Sequence, residues 1–312
     1  DFSSSNPSQL IDILDTNQPD VVIDEVSSIL TLLYDDPDIL FITTVFHDVV
    51  KLYNGKYPGF QACTTDYHDL THTLDAFLAM ARLIHGYSIQ KGPLEEREVL
   101  ISLISALMHD TGYIKATDDP SGTGAKYTLV HISRSVDFMK KYCLEHSYLP
   151  ADCNFSSQCI LCTDINTDIS RIPFETDNQR ILGKILGISD LIGQMADRNY
   201  LEKLFLLYIE FEEGDVQGFD NSIDLLQKTV GFFDFTKMRF SKHLDNLDQY
   251  MIFHFIERWN VHEDLYLKSI NKNAKYLKQL MTTHPESAHE FLRREGIIDD
   301  LIKSGRISPT FR

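Results

Sequence analysis

The chain has 312 residues, 43% of them hydrophobic, and 29 basic against 46 acidic side chains give a formal net charge of −17. That length and apolar share suit one large or two medium domains with a sizeable core. The negative balance repels nucleic-acid backbones and anionic membrane surfaces, and it opposes an anionic small substrate unless a local cation reverses the potential.

No run of about eighteen uncharged apolar residues occurs, so no membrane span is expected. No signal peptide is visible at the start. Five scattered cysteines, an odd number, read as the reduced thiols of a cytoplasmic protein.

Residues 1–19 are polar, and the first few are expected to fray. Val22, Val26, Ile29, Leu30 and Leu33 mark a helix over 21–33; Pro37 restarts the chain, and 39–53 forms a second helix. A turn over 53–59 closes this helical lead-in. Tyr67-His68-Asp69-Leu70-Thr71-His72-Thr73 then opens a helix running to Leu83, with Thr65 or Asp66 as its cap. His68 and His72, four apart, project from one face. They form either a metal or acid–base pair or two stacked surface histidines. Ala76, Ala79, Met80 and Leu83 carry that face inward, which favours the first reading.

Lys91-Gly92-Pro93 opens the next helix, whose apolar run over 99–108 has almost no polar outlet. It closes on His109-Asp110-Thr111-Gly112-Tyr113. A buried carboxylate costs roughly 2 kcal/mol or more unless something pairs with it. A metal ion is the simplest way to hold the imidazole and the carboxylate there. The alternative is a helix end breaking into solvent, with Gly112 as its stop.

The loop over 115–126 carries Gly122-Thr123-Gly124-Ala125-Lys126, whose spacing is not that of a Walker sequence. It reads as a flexible lip, with Lys115 and Lys126 either touching phosphate or solvated. His131 stands near the start of a helix reaching Tyr142, as a ligand or as a structural histidine. A helix over 158–172 carries Thr163-Asp164, and its Cys159 and Cys162 read as small core residues rather than a zinc pair. A largely apolar helix over 179–201 has Asp190 in its middle, where a carboxylate must be paired or coordinating. Gly183, Gly187 and Gly193 allow close helix approach there, each costing about 1 kcal/mol in propensity. Further helices are expected over 201–211, 223–238, 243–260 with Trp259 in the core, 265–281 and 287–303. Strand-like alternation is nearly absent. The expectation is one all-α domain: a lead-in over 1–60, a core over 61–245 and packed C-terminal helices over 246–312.

The order His-x3-His, then His-Asp, then a late helix Asp resembles the HD superfamily of metal-dependent phosphohydrolases, in particular its cyclic-nucleotide-phosphodiesterase-like branch. Tyr67-His68-Asp69-Leu70-Thr71-His72-Thr73 matches that branch's Tyr-His-Asn-x-x-His-Ala. Cys162-Thr163-Asp164 matches its Ala-Thr-Asp, and Ser189-Asp190-Leu191-Ile192 its Ala-Asp-Leu-Ser. After His-Asp the chain departs, with Thr111-Gly112-Tyr113-Ile114-Lys115 in place of Val-Asp-His-Pro-Gly. No purine-gripping glutamine can be placed in its last third.

The resemblance implies that His72, His109, Asp110 and Asp190 ligate a first divalent ion, and that Asp110 bridges to a second, weaker one. His68 would be the general acid. His131 would lie near the second ion or the phosphate, and Asp164 behind the site. The mixed donors suit Fe, Mn, Zn or Mg, one ion or two. The substrate would be a phosphoester small molecule, a nucleotide or cyclic nucleotide among the candidates. A catalytically silent signalling or ligand-binding module of the same fold is the alternative. An oligomer is compatible with either.

Overall fold

Helical periodicity runs through nearly the whole chain, and the computed structural model, which describes residues 7–308, realises it as helices alone. In order these are α1 (Leu10–Ile13), α2 (Pro19–Leu33), α3 (Ile39–Tyr53), α4 (Leu70–Lys91), α5 (Glu96–Met108), α6 (His131–Glu145) and α7 (Pro150–Leu161). There follow α8 (Asp177–Ala196), α9 (Tyr200–Glu213), α10 (Ser222–His243), α11 (Met251–Trp259), α12 (Leu265–Thr283) and α13 (Ile297–Lys303). Among the described residues there is no β-strand, only an isolated bridge between Phe60 and Ala116. No described helix is long and apolar enough to cross a membrane.

Helix α4 is the axis. Its apolar residues point in every direction, so it must be surrounded, and α2, α5, α8 and α11 do so. The Asp69 side chain caps it by accepting from His72 N at 2.8 Å. Gly92, at φ 91°, ends it. At the α4–α8 crossing a Cβ on Gly193 would stand 3.0 Å from Ala76 N, so the small residue sets the helix separation.

Several expected boundaries shift, each for a local reason. The α4 cap is Asp69 rather than Thr65 or Asp66, which leaves His68 in the loop before the helix instead of one turn back along it. The helix expected over 158–172 stops at Leu161. Beyond it the carboxylate of Asp164 accepts from Asn166 N at 2.8 Å and from Thr167 Oγ1 at 2.8 Å, which makes a turn. The segment over 179–201 divides after Ala196, where Asp197 accepts from Asn199 N. The helix expected from 243 begins only at Met251, because Asp245 and Asn246 take left-handed φ of 54° and 53°. The one over 287–303 is broken by Glu295 at φ 55° and Gly296 at φ 70°. Trp259 is half-buried at the end of α11, beneath the Arg258 guanidinium, rather than in the core. Cys159 and Cys162 are core residues as expected.

Helices α4 and α11 meet at His85 and His254, both buried, with their Nδ1 atoms 3.1 Å apart. One ring must donate and the other accept, so the pair holds a neutral ring. Burial, reinforced by the Arg82 guanidinium, keeps the His254 pKa well below the usual imidazole value. The unfolded chain takes up this proton near pH ~6.5 and the folded chain does not. Stability is therefore expected to fall as pH drops below about 6.5, by up to about 1.4 kcal/mol per pH unit from this residue. Urea unfolding near pH 7.5 and 5.5 measures it, and His254→Asn should lose less between the two values. Equal losses in both proteins would place the acid sensitivity elsewhere.

Candidate metal centre

The centre forms where three helix ends or middles converge. The apolar run of α5 ends at Met108, and the chain turns through His109 and Asp110 into a 3-10 turn over Thr111–Tyr113. This is no solvent-facing end: His109 is 1% and Asp110 3% exposed. A Cβ on Gly112 would fall 2.0 Å from the His131 carbonyl oxygen, so only glycine lets α6 approach this turn. His72 enters from the first turn of α4, and Asp190 from the middle of α8.

These four side chains meet. His72 Nε2 lies 3.2 Å from Asp110 Oδ2 and 3.3 Å from Asp190 Oδ1. His109 Nε2 lies 3.3 Å from Asp110 Oδ2 and 3.4 Å from Asp190 Oδ1. The ligand atoms of His72, His109 and Asp110 all lie within 4.8 Å of one another, close enough to share one ion, with an Asp190 oxygen beside both imidazoles. His109 Nδ1 faces the Ala106 carbonyl oxygen at 2.7 Å and must carry the ring proton there, so a neutral ring turns the bare lone pair of Nε2 toward two carboxylates. His109 Nε2 and Asp110 Oδ2 are both buried without a hydrogen-bond partner. Lone pairs facing lone pairs in a buried space call for a cation, and His72, His109 and Asp110 form a group that can hold a metal ion.

Protons are the other cation available. Burial opposes charge on His72, but the Asp110 and Asp190 carboxylates against its Nε2 outweigh it and raise its pKa to about 10. The same balance raises His109 well above the usual value. Burial would raise Asp110 and Asp190, yet the adjacent histidines hold both well below the carboxylate range. A metal ion binding here must therefore displace protons, and its affinity must weaken in acid.

His68 and His131 stand at the rim. His68 Nδ1 is 2.6 Å from Glu210 Oε2, and Glu210 Oε1 accepts from Tyr67 N at 2.7 Å. The carboxylate is an acceptor only, so Nδ1 keeps its proton and Nε2 is the nitrogen left for a ligand. His131 Nε2 lies 3.8 Å from Asp110 Oδ1, while its Nδ1 faces the Thr128 carbonyl oxygen at 2.6 Å. Burial lowers the His131 pKa more than Asp110 raises it. The Tyr113 ring is sandwiched between His68 and His131, with centroid separations of 4.4 and 4.6 Å.

Sequence reasoning missed Glu210, Tyr113 and Gln194. Glu210 interrupts an apolar stretch of α9, the same signal that drew attention to Asp190. Gln194, one turn after Asp190, accepts from Tyr67 OH at 2.7 Å and donates to the Asp190 carbonyl oxygen at 3.2 Å. Asp164 does not join the centre, since its carboxylate is engaged within its own turn. Nor is the loop over 115–126 a free lip. Lys115 is 4% exposed and donates to the Gly122 carbonyl oxygen at 2.6 Å. Lys126 pairs with Asp119, which also accepts from Tyr127 OH at 2.6 Å. Lys115 is buried rather than solvated, Lys126 is part-exposed but held by Asp119, and the loop is closed on itself.

Fold and site together define an all-helical protein with a buried two-histidine, one-carboxylate group, supported by Asp190, that can hold a metal ion. The chain belongs to the Npun_R2479-like family, whose model matches residues 58–251, the stretch that contains every residue of the centre and its rim. No match was found among curated proteins or solved structures.

Proposed function

We infer that the centre hydrolyses a phosphoester with the help of a divalent metal ion. The observation that carries this reading is the buried, unpartnered pair of His109 Nε2 and Asp110 Oδ2, completed by His72 and Asp190. These are the four positions that the resemblance to the HD superfamily assigns to a first ion. A divalent ion in such a site supplies Lewis-acid activation of water and of a phosphoryl oxygen. It also reverses, locally, the field of a chain carrying −17.

The chain's own residues supply the rest. Water adds its oxygen to phosphorus and gives up a proton to the medium. The bond from phosphorus to the leaving oxygen breaks, and that oxygen takes the Nε2 proton of the His68 imidazolium, which solvent then restores. Glu210 fixes the His68 ring and keeps its Nδ1 proton in place. The two oxygens of Asp110 face different partners, Oδ2 toward the histidine pair and Oδ1 toward His131, which supports a bridging role toward a second, weaker ion. Five free thiols fit a reducing compartment such as the cytoplasm.

Elemental analysis of the purified chain, followed by a panel of phosphomonoesters, nucleotides, cyclic nucleotides and dinucleotides, tests the reading. A metal-loaded protein inert toward the whole panel would sink it and leave the silent-module alternative. Glu210→Gln is expected to lower turnover about 10–100-fold while metal content stays unchanged. A matching loss of metal would mean that Glu210 supports the ligands rather than His68.

A further inference from the structure

Asp190 is the member of the centre that comes from the middle of a helix, and two further side chains lead away from it. Its Oδ1 is the oxygen beside both imidazoles, 3.3 Å from His72 Nε2 and 3.4 Å from His109 Nε2. One turn further along the same face of α8, Gln194 Nε2 stands 3.2 Å from the Asp190 carbonyl oxygen and 3.5 Å from Oδ1 itself. Both of those oxygens can only accept, so the amide must turn its nitrogen toward them. That leaves Gln194 Oε1 pointing away, and Tyr67 OH meets it at 2.7 Å as a donor.

Tyr67 is buried, and a buried hydroxyl is costly without a partner; the Gln194 amide is the one it finds. The ring is fixed against two histidines, with centroid separations of 4.9 Å to His68 and 6.0 Å to His72. Its backbone N–H donates to Glu210 Oε1, whose carboxylate also holds His68. The ring and backbone of Tyr67 are therefore anchored independently of the hydroxyl, and the hydroxyl is committed to Gln194. An amide can present either end to a neighbour, and a carboxylate turns freely about its last bond. The Tyr67 hydroxyl removes the first freedom, and the Gln194 amide opposes the second.

We propose that Tyr67 and Gln194 are positioning residues for the metal ligand Asp190: the Tyr67 hydroxyl holds the Gln194 amide in the orientation that donates to Asp190, and the amide holds Oδ1 toward the two imidazoles. Outer-shell partners of this kind orient a ligand and are typically worth about 10–100-fold in metal affinity. The two residues act in series, so their effects are not independent. Their role rests on the centre holding a divalent ion and is the same whatever reaction the centre performs.

Competition between the full chain and a chelator for Co²⁺, with the visible absorption of the bound ion as a second readout of its ligand geometry, tests this. Tyr67→Phe keeps the ring and the backbone N–H and loses only the hydroxyl. Gln194→Met keeps a side chain of similar length and loses the amide, and it carries the test alone if Tyr67→Phe folds poorly. Each is expected to weaken Co²⁺ binding about 10–100-fold and to change the spectrum. The double variant should bind within about two-fold of Gln194→Met. Tyr200→Phe is the control: Tyr200 is also buried and borders the same small cavity as Tyr67, His72 and Gln194, and its loss of a hydroxyl should move neither readout. Unchanged affinity and spectrum in Gln194→Met, losses that add in the double variant, or an equal loss in Tyr200→Phe would overturn the proposal. Wild type that takes up no Co²⁺ would overturn the centre and the positioning pair together.

Discussion

Asp110→Ala is expected to empty the metal centre. Asp110 Oδ2 stands against both His72 Nε2 and His109 Nε2, so one substitution removes the acceptor that opposes two imidazoles. Outer-shell partners of a metal are typically worth 10–100-fold in affinity, roughly, and a direct ligand in a four-residue set is worth more. Metal content should fall from about one per chain to less than about a tenth of that after dialysis. The stabilisation that wild type gains from added ion, about 2.7 kcal/mol at a hundred times the dissociation constant, should vanish as well. Elemental analysis and thermal unfolding with and without a chelator read both effects. A variant that retains a full complement of metal at unchanged affinity would remove Asp110 from the ligand set. It would also leave its buried, unpartnered oxygen without an explanation.

His68→Ala should behave in the opposite way, keeping the metal and losing turnover. His68 is not one of the four converging side chains; its ring stacks on Tyr113 and its Nδ1 is tied to Glu210. Loss of a general acid typically costs about 10²–10⁴ in rate. The loss should depend on the leaving group: large for an alkoxide, which needs the proton, and small for a nitrophenolate, which does not. A purely structural role would slow both esters alike. Equal losses across leaving groups, or a parallel fall in metal content, would reassign His68 to the scaffold.

His68 also shows why a residue's identity is easier to read than its setting. As a sequence, His68 and His72 suggested two rings on one helical face. Asp69 competes for the first free backbone N–H groups of the helix and wins the cap, so the helix starts after His68. The ring therefore comes from a loop, and its direction is set by Glu210, a residue 142 positions away. Asp164 shows the converse. Its place in a familiar pattern suggested a role behind the site, but Asp and Thr side chains so close in sequence satisfy each other locally. Lys115 and Lys126 looked solvated because surface lysines usually are, yet the loop folds back and places carbonyl and carboxylate oxygens within their reach.

Local chemistry along the chain determined by itself that this protein is helical throughout, and which stretches bury a carboxylate. An apolar run that carries Asp110 or Asp190 states its own problem, because burial without a partner is costly wherever the run ends up. Only the tertiary structure decided which partners solve it. The meeting of α4, α5 and α8 at one point and the reach of Glu210 to His68 depend on helix crossings. Those crossings are set by side-chain volumes packed between elements far apart in the chain, which no local pattern encodes.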